Sequence, residues 1–338
     1  MHDQSSKYTL RQLQPGEEAL WKEFIEENNL PLFFGLKWAR IIQTLTGRPY
    51  KILLIEKNEV VQGGLLYWPH KRFGLHALTP VPFTPYTGPV LKQESAEKNS
   101  TRIAFNLQCH ELLARHLLQR FDFIRITTHP QLSDIRPYLW SGFEAFPFYT
   151  YRLPLDGNAE TRYNNTLKRQ IRTAEKEGLS VETSGECEPI ADFVEQSYRA
   201  HGFNPPLPKK DVLRLTEAVL REETGRLFYV RTAGGERIGG VLLTEDRNTV
   251  YYTLSGIKRA YKHVQPMAFL LHSVFGDERL RHKEFDFIGA NTPALEQFKR
   301  GFGGSLIPYY GLSRYRSGFV RKIVQINEAL RHNRKKQV

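Results

Sequence analysis

Apolar positions along the chain switch repeatedly between helical spacing and strand alternation, and the switches run through the same order twice. In the first half, Glu17–Asn28 and a second stretch ending near Leu45 carry helical spacing. Tyr50–Glu56 and Val60–Trp68 alternate as the arms of a hairpin around Lys57-Asn58-Glu59. Thr79–Pro89 is rich in proline and threonine and predicts an irregular surface loop. Glu97–Arg120 is helical in period, Phe121–Thr127 is a short apolar strand, and Phe148–Leu155 is a strand leading out. The second half opens on a basic helix, Tyr163–Gly178, with Gly178 as its stop. Strand Leu179–Thr183, helix Pro189–Ala200, a loop at 203–208 forced by three prolines, and helix Lys209–Glu222 follow. The hairpin Leu227–Arg231 and Arg237–Thr244, strand Val250–Ser255, helix Pro266–Leu280 and strand Phe285–Ile288 complete it. Helices that precede a hairpin, with a further helix and strand after it, predict an α+β fold with a mixed, mostly antiparallel sheet in each half.

The parallel between the halves extends to residues. Phe-Asp-Phe-Ile occurs at 121–124 and again at 285–288, an offset of 164. Upstream of each lies a second echo, Val61-Gln62-Gly63-Gly64-Leu65-Leu66 against Arg237-Ile238-Gly239-Gly240-Val241-Leu242, offset by 176. Such a period is too long for a solenoid unit, so the sequence predicts a duplicated domain, 1–152 and 153–338. A length of 338 residues allows each copy its own core.

Charge narrows the partners. The formal net charge of +12 calls for an anionic molecule or surface: a nucleic acid such as tRNA, an anionic membrane, or a phosphorylated substrate. The excess gathers in Arg162, Lys168, Arg169, Arg172 and Lys176, and in a basic C-terminal tail assigned to the second copy. The plain alternative for both clusters is a solvated surface. The chain has no apolar run long enough to span a membrane and no signal-like start, and its two cysteines, Cys109 and Cys187, give no disulfide framework. A cytoplasmic setting is the default expectation.

Motifs of familiar chemistry are missing. There is no phosphate-loop or dinucleotide fingerprint, and Gly311-Leu312-Ser313-Arg314-Tyr315 lacks the closing glycine of a nucleophile elbow. His110 and His116 stand about 120° apart around one helix and do not share a metal. What remains is direct transfer between two bound substrates, driven by orientation and by donors aimed at a developing oxyanion.

Two segments carry a resemblance. Glu284-Phe285-Asp286-Phe287-Ile288-Gly289-Ala290-Asn291, then Phe298-Lys299-Arg300-Gly301-Phe302-Gly303-Gly304 and Pro308-Tyr309-Tyr310, resemble the closing signature of the Fem-type aminoacyltransferases. Thr173-Ala174-Glu175-Lys176-Glu177-Gly178-Leu179 resembles the same family's link into its second domain. That family is built from two tandem acyltransferase domains of the GNAT type. The resemblance implies amide formation: an amine attacks an activated acyl group of an aminoacyl-tRNA or acyl-CoA while backbone N–H groups hold the oxyanion. In the peptidoglycan branch the acceptor is the peptide of a cell-wall precursor. No tightly bound cofactor is implied. The chain departs from the pattern twice. It lacks the coiled-coil insert frequent in tRNA-dependent members, and Arg259–Gln265 lacks the glycine of the acetyltransferase pyrophosphate loop.

On this reading the second copy carries the cleft. Lys299, Tyr252 and Asp286 are the candidate catalytic residues. Lys299 would neutralise a substrate anion, and Asp286, sharing its setting with Asp122, is equally open to a structural role. Ser255, Asn291, Arg300, Tyr309, Tyr310, Tyr198, Arg199, Lys168 and Arg172 are candidate substrate contacts, with helix capping as the alternative for Asn291. His201 stands beside Tyr198 and Arg199 before the proline loop as a further acceptor contact. The rival from another class is a non-catalytic nucleic-acid-binding protein gripping phosphates with the basic helix and tail. Its cations are not interleaved with aromatic residues as base stacking requires, which favours the enzyme.

Overall fold

The computed structural model describes residues 7–93, 98–200 and 207–336. Residue His201 and most of the expected proline loop lie outside them. The chain divides into two compact units, 1–147 with 309–338, and 148–308.

The first unit runs β1 (Thr9–Gln12), α1 (Glu18–Glu27), α2 (Leu36–Thr46), β2 (Lys51–Lys57), β3 (Val60–Tyr67), β4 (Pro69–Arg72), β5 (Leu75–Leu78), β6 (Val90–Leu91), α3 (Asn99–Arg120), β7 (Phe123–Thr127) and α4 (Arg136–Trp140). The chain crosses into the second unit within β8 (Glu144–Pro154). There follow α5 (Asn165–Lys176), β9 (Ser180–Thr183), α6 (Glu188–Ala200), α7 (Lys209–Arg221), β10 (Gly225–Arg231), β11 (Arg237–Glu245), β12 (Thr249–Ile257), α8 (Pro266–Phe275), β13 (Glu284–Asp286) and α9 (Pro293–Arg300). Within β14 (Ser305–Tyr315) the chain returns to the first unit, which it closes with α10 (Gly318–Lys336).

The expected α+β class holds: each unit has mixed strands flanked by helices. In the first, β1-β2-β3-β6 is antiparallel, and β4-β5-β7-β14 contains one parallel pair, β5 with β7. In the second, the order is β8-β13-β12-β11-β10-β9, again with one parallel pair, β12 with β13. The duplication is visible in this likeness. In each copy the strand carrying Phe-Asp-Phe-Ile has a parallel neighbour on one side and an antiparallel one on the other.

Two readings change. The tail expected beside the second copy is α10 of the first unit, because Val320 and Val324 bury against Phe123, Ala77 and Tyr315. The two aspartates also do not share a setting. Asp122 precedes β7 and accepts from the His76 N–H and from Arg316. Asp286 is the last residue of β13 and is fully buried.

The second unit's core includes Phe275, Phe285, Phe287 and Phe302, with ring centroids 4.7 to 5.6 Å apart for Phe275–Phe285, Phe285–Phe287, Phe287–Phe302 and Phe275–Phe302. Edge-on aromatic pairs of this kind contribute about 0.5–1.5 kcal/mol each beyond the area they bury. Phe302 is thus a plug, and the glycines after it let the turn seat. Gly303 has φ +74°, and a Cβ there would meet the Arg162 carbonyl oxygen at 2.1 Å. The Phe298–Gly304 motif therefore docks α9 against the start of α5, where Asn164 donates its N–H to the Gly301 carbonyl. Asn164 also caps α5 by accepting from the Leu167 N–H at 2.8 Å.

Candidate active site

The site begins where two strands part. β12 and β13 pair only from Thr249–Tyr251 and Glu284–Asp286. Beyond Asp286 the chain keeps bonding to β8: Phe287 donates to Tyr151 at 3.0 Å and Ala290 to Tyr149 at 2.6 Å. β12 instead stays with β11, and the pairing slips at Thr253, where Leu242 faces Leu254 but Leu243 faces Tyr252. This bulge twists β12 away and opens a wedge beside Tyr252. Past Tyr251 the edge of β12 that β13 has left meets no other strand among the described residues, and the Ile257 N–H there donates to the Ser197 hydroxyl at 3.0 Å. Backbone N–H groups along such an edge are the kind of donor a developing oxyanion requires.

One wall of the wedge is a turn with two left-handed residues, Ile288 (φ 45°) and Gly289 (φ 66°). A branched side chain in that conformation is strained, so something must hold it there. Two buried charges do. Lys299, 3% exposed, donates to the carbonyls of Phe287 at 2.8 Å, Ile288 at 2.5 Å and Gly289. An ammonium has three protons, and all three are engaged. From below, Asp286 accepts from the Ile288 N–H at 2.9 Å, the Thr150 hydroxyl at 2.6 Å and the Arg152 guanidinium at 3.2 Å. Burial pushes the Lys299 pKa down to about 8, with the Asp286 charge acting the other way.

Tyr252 stands at the apex. Its ring lies 5.7 Å from the Lys299 ammonium and packs on Phe285 and Phe287. Its hydroxyl is 2.5 Å from the Ser255 hydroxyl. Burial pushes the phenol up to about 12, against a smaller pull down from Ser255. It therefore keeps its proton at neutral pH and is equipped to donate it.

β12 leads out of the wedge into a 3-10 turn, Arg259–Val264, and then into α8. Gln265, at φ 56°, makes a left-handed turn here without a glycine. Pro266 at the first helical position has no N–H to satisfy, and no side chain caps this end. The N–H groups of the first turn and the positive end of the helix dipole are thus available to an anion. Arg259 and Lys262 beside it are exposed and make no ion pair among the described residues.

The remaining candidates scatter. Asn291 does not cap α9, which Thr292 precedes; its Oδ1 accepts from the Tyr149 N–H at 2.8 Å and ties the turn to β8. Arg300 is exposed and paired with Glu296 at 2.7 Å. Tyr198 and Arg199 end α6, where Arg199 pairs with Glu195 at 2.7 Å. Lys168 and Arg172 lie along α5 and make no ion pair among the described residues. Tyr309 and Tyr310 belong to the first unit, where Tyr309 packs on Tyr86 and Tyr310 bonds with Thr128. Sequence reasoning missed Thr150 and Arg152. Their spacing of two on a strand that was expected puts both polar groups on one face, and that signal was there to use. Among the described residues no group of histidine, cysteine, aspartate or glutamate is placed to hold a metal ion, and no helix is long and apolar enough to cross a membrane.

Comparison with known proteins decides the class. Residues 161–300 match the family model described as acetyltransferase (GNAT) domain. This segment is a GNAT acyltransferase domain. It contains the wedge, Tyr252, Asp286 and Lys299, and it makes the chain a transferase of acyl groups. No curated protein matches in sequence. Among solved structures, FemX is similar over 89% of this chain and 96% of its own, with a TM-score of 0.65 at 14% identity. L-PGS from Bacillus licheniformis is similar over 93% and 97%, with a TM-score of 0.55 at 13% identity. A tandem GNAT protein from the clavulanic acid biosynthesis pathway follows over 92% and 99%, with a TM-score of 0.50 at 11% identity. At such identities the likeness establishes the tandem-GNAT fold alone.

Proposed function

We propose that the GNAT domain forms an amide by direct attack of an amine on an activated acyl or aminoacyl group. The observation that carries this reading is the wedge, which sets the β12 edge released by β13 beside a protonated Tyr252. In the step proposed, the amine nitrogen bonds to the acyl carbon and the carbonyl oxygen takes up charge against the β12 donors. The bond to the donor's oxygen or sulfur then breaks, and a proton passes from the amine to that leaving atom. Tyr252, held by Ser255, relays that proton: it gives its own to the leaving atom and recovers one from the amine nitrogen. Lys299 and Asp286 act as positioning residues that hold the opposite wall.

The donor is an aminoacyl-tRNA or an acyl-CoA, both of which present phosphates. The uncapped start of α8 with Arg259 and Lys262 supports a phosphate-bearing donor. The acceptor proposed is a peptide-like or cell-envelope amine, as the sequence resemblance to the Fem-type aminoacyltransferases implies. Thermal-shift measurements against acyl-CoAs, aminoacyl-tRNA and nucleotide-linked muropeptides test this, since a bound donor raises the midpoint. No shift with any of them sinks the reading. Tyr252→Phe is expected to lower kcat about ten- to a hundredfold with little change in KM, measured by steady-state transfer. An unchanged kcat removes Tyr252 from the chemistry. Arg259→Ala with Lys262→Ala should instead raise the donor KM about tenfold at unchanged kcat.

A further inference from the structure

The first unit carries exposed apolar groups that its own fold does not use. α10 buries Val320 and Val324 on its inner side, yet on another side Phe319 is 74% and Ile326 59% exposed. Those two and Lys322 fall at i, i+7 and i+3, one stripe along the helix. The first turn of α10 is fixed to the start of β8 by the Arg321–Glu144 ion pair. Phe146, two residues on and so on the same strand face as Glu144, is 52% exposed. Trp140, at the end of the preceding α4, is 63% exposed. Large apolar groups exposed together mark an interaction surface.

The charge carried by the helix sequence selects the partner. Between Gly318 and Lys336 the sequence has Arg321, Lys322, Arg331, Arg334, Lys335 and Lys336, against the single acid Glu328. Glu328 is itself neutralised, by Arg125 at 3.1 Å and Arg72 at 3.9 Å, and Arg321 by Glu144, which leaves Lys322 and the four later cations as the excess. A basic helix with an exposed apolar stripe, in a unit that also exposes a tryptophan, has the make-up of an element that lies in the plane of an anionic bilayer interface. Nucleic acid would use the cations but has no use for Ile326, and a neutral protein groove would not use the cations. We infer that α10, with Phe146 and Trp140, is a docking surface for an anionic membrane. This inference stands apart from the acyl-transfer reading, and its test involves no activity.

The test is co-sedimentation of the full chain with vesicles of phosphatidylcholine alone or with about one-third phosphatidylglycerol. Binding to the anionic vesicles is expected to exceed binding to the neutral ones at least about tenfold and to weaken, without vanishing, as salt rises. F319S with I326S should lower it about tenfold or more, and W140S independently by a smaller factor, with melting temperatures near that of the parent. Lys322→Glu should weaken binding to anionic vesicles only. Absence of binding, equal binding to neutral vesicles, or indifference to F319S/I326S overturns the inference. Retention of a generic RNA duplex in place of vesicles overturns it too and favours the nucleic-acid partner.

Discussion

Lys299→Met is expected to reduce acyl transfer about a hundredfold or more and to destabilise the protein by about 3 kcal/mol. The methionine retains most of the apolar stem but supplies no proton to the carbonyls of Phe287, Ile288 and Gly289, all of which face Lys299 in the folded protein. Buried acceptors left without donors cost about 1–3 kcal/mol each, partly recovered as the turn relaxes. That relaxation is what damages catalysis. The turn holds Ile288 and Gly289 at positive φ and forms the wall opposite Tyr252, and a displacement of about 1 Å in such a wall is enough for a hundredfold loss. Denaturant unfolding and steady-state kinetics measure the two effects separately. Full activity in the variant would remove Lys299 from the site.

The same variant has a signature in pH. Burial lowers the Lys299 pKa from 10.5 to about 8 in the folded state. Between these values the unfolded chain therefore binds more protons than the folded one, and stability rises with pH. The cost of burying the charge is present in full below about pH 8 and is relieved as pH climbs toward 10.5. The stability gap between the parent and Lys299→Met should accordingly widen over that range, by about 1–3 kcal/mol, since other titrating groups cancel in the difference. A gap that narrows would show that the carbonyl cage, and not burial, dominates the lysine's protonation.

The sequence was most informative where one period governs a whole element. The Val60 and Arg237 strands of the two hairpins alternate around paired glycines, and both form where expected. Elements whose stability comes from remote packing were not legible. β14, which contains Pro308, is not among the expected elements, yet its Gly311–Tyr315 part forms a ladder with Phe123–Thr127, nearly two hundred positions earlier. α10 reads as a solvated basic tail because its six lysines and arginines stand against one acid, yet Val320 and Val324 are buried and seat it. At the site, the motif pointed to Lys299 for a reason of a different kind. Phe298–Gly304 marks where α9 docks, and the lysine within it faces backbone carbonyls, not solvent, because the turn after β13 curls over it. Burial of that sort depends on the parting of β12 and β13, and no local pattern encodes it.

Asp286→Ala is the more severe test of how that wall is held, with an expected loss of about 3–5 kcal/mol. The carboxylate is inaccessible to water and joins three elements: Thr150 and Arg152 of β8, and the Ile288 N–H of the turn. Alanine leaves a hydroxyl and an amide without their acceptor and leaves a guanidinium, 15% exposed in its side chain, with Glu284 as its remaining acid partner in this network. Asp286→Asn separates charge from shape. Its carbonyl oxygen can still accept from Thr150 and Ile288, but its amide donors would face the Arg152 donors, so a smaller loss of about 1–3 kcal/mol is expected. Adding Arg152→Met to Asp286→Asn removes that conflict and should return part of the stability, a coupling that a double-mutant cycle reads directly. If Asp286→Ala costs less than about 1 kcal/mol, the buried network does not hold the turn, and Lys299 alone must account for the left-handed backbone at Ile288 and Gly289.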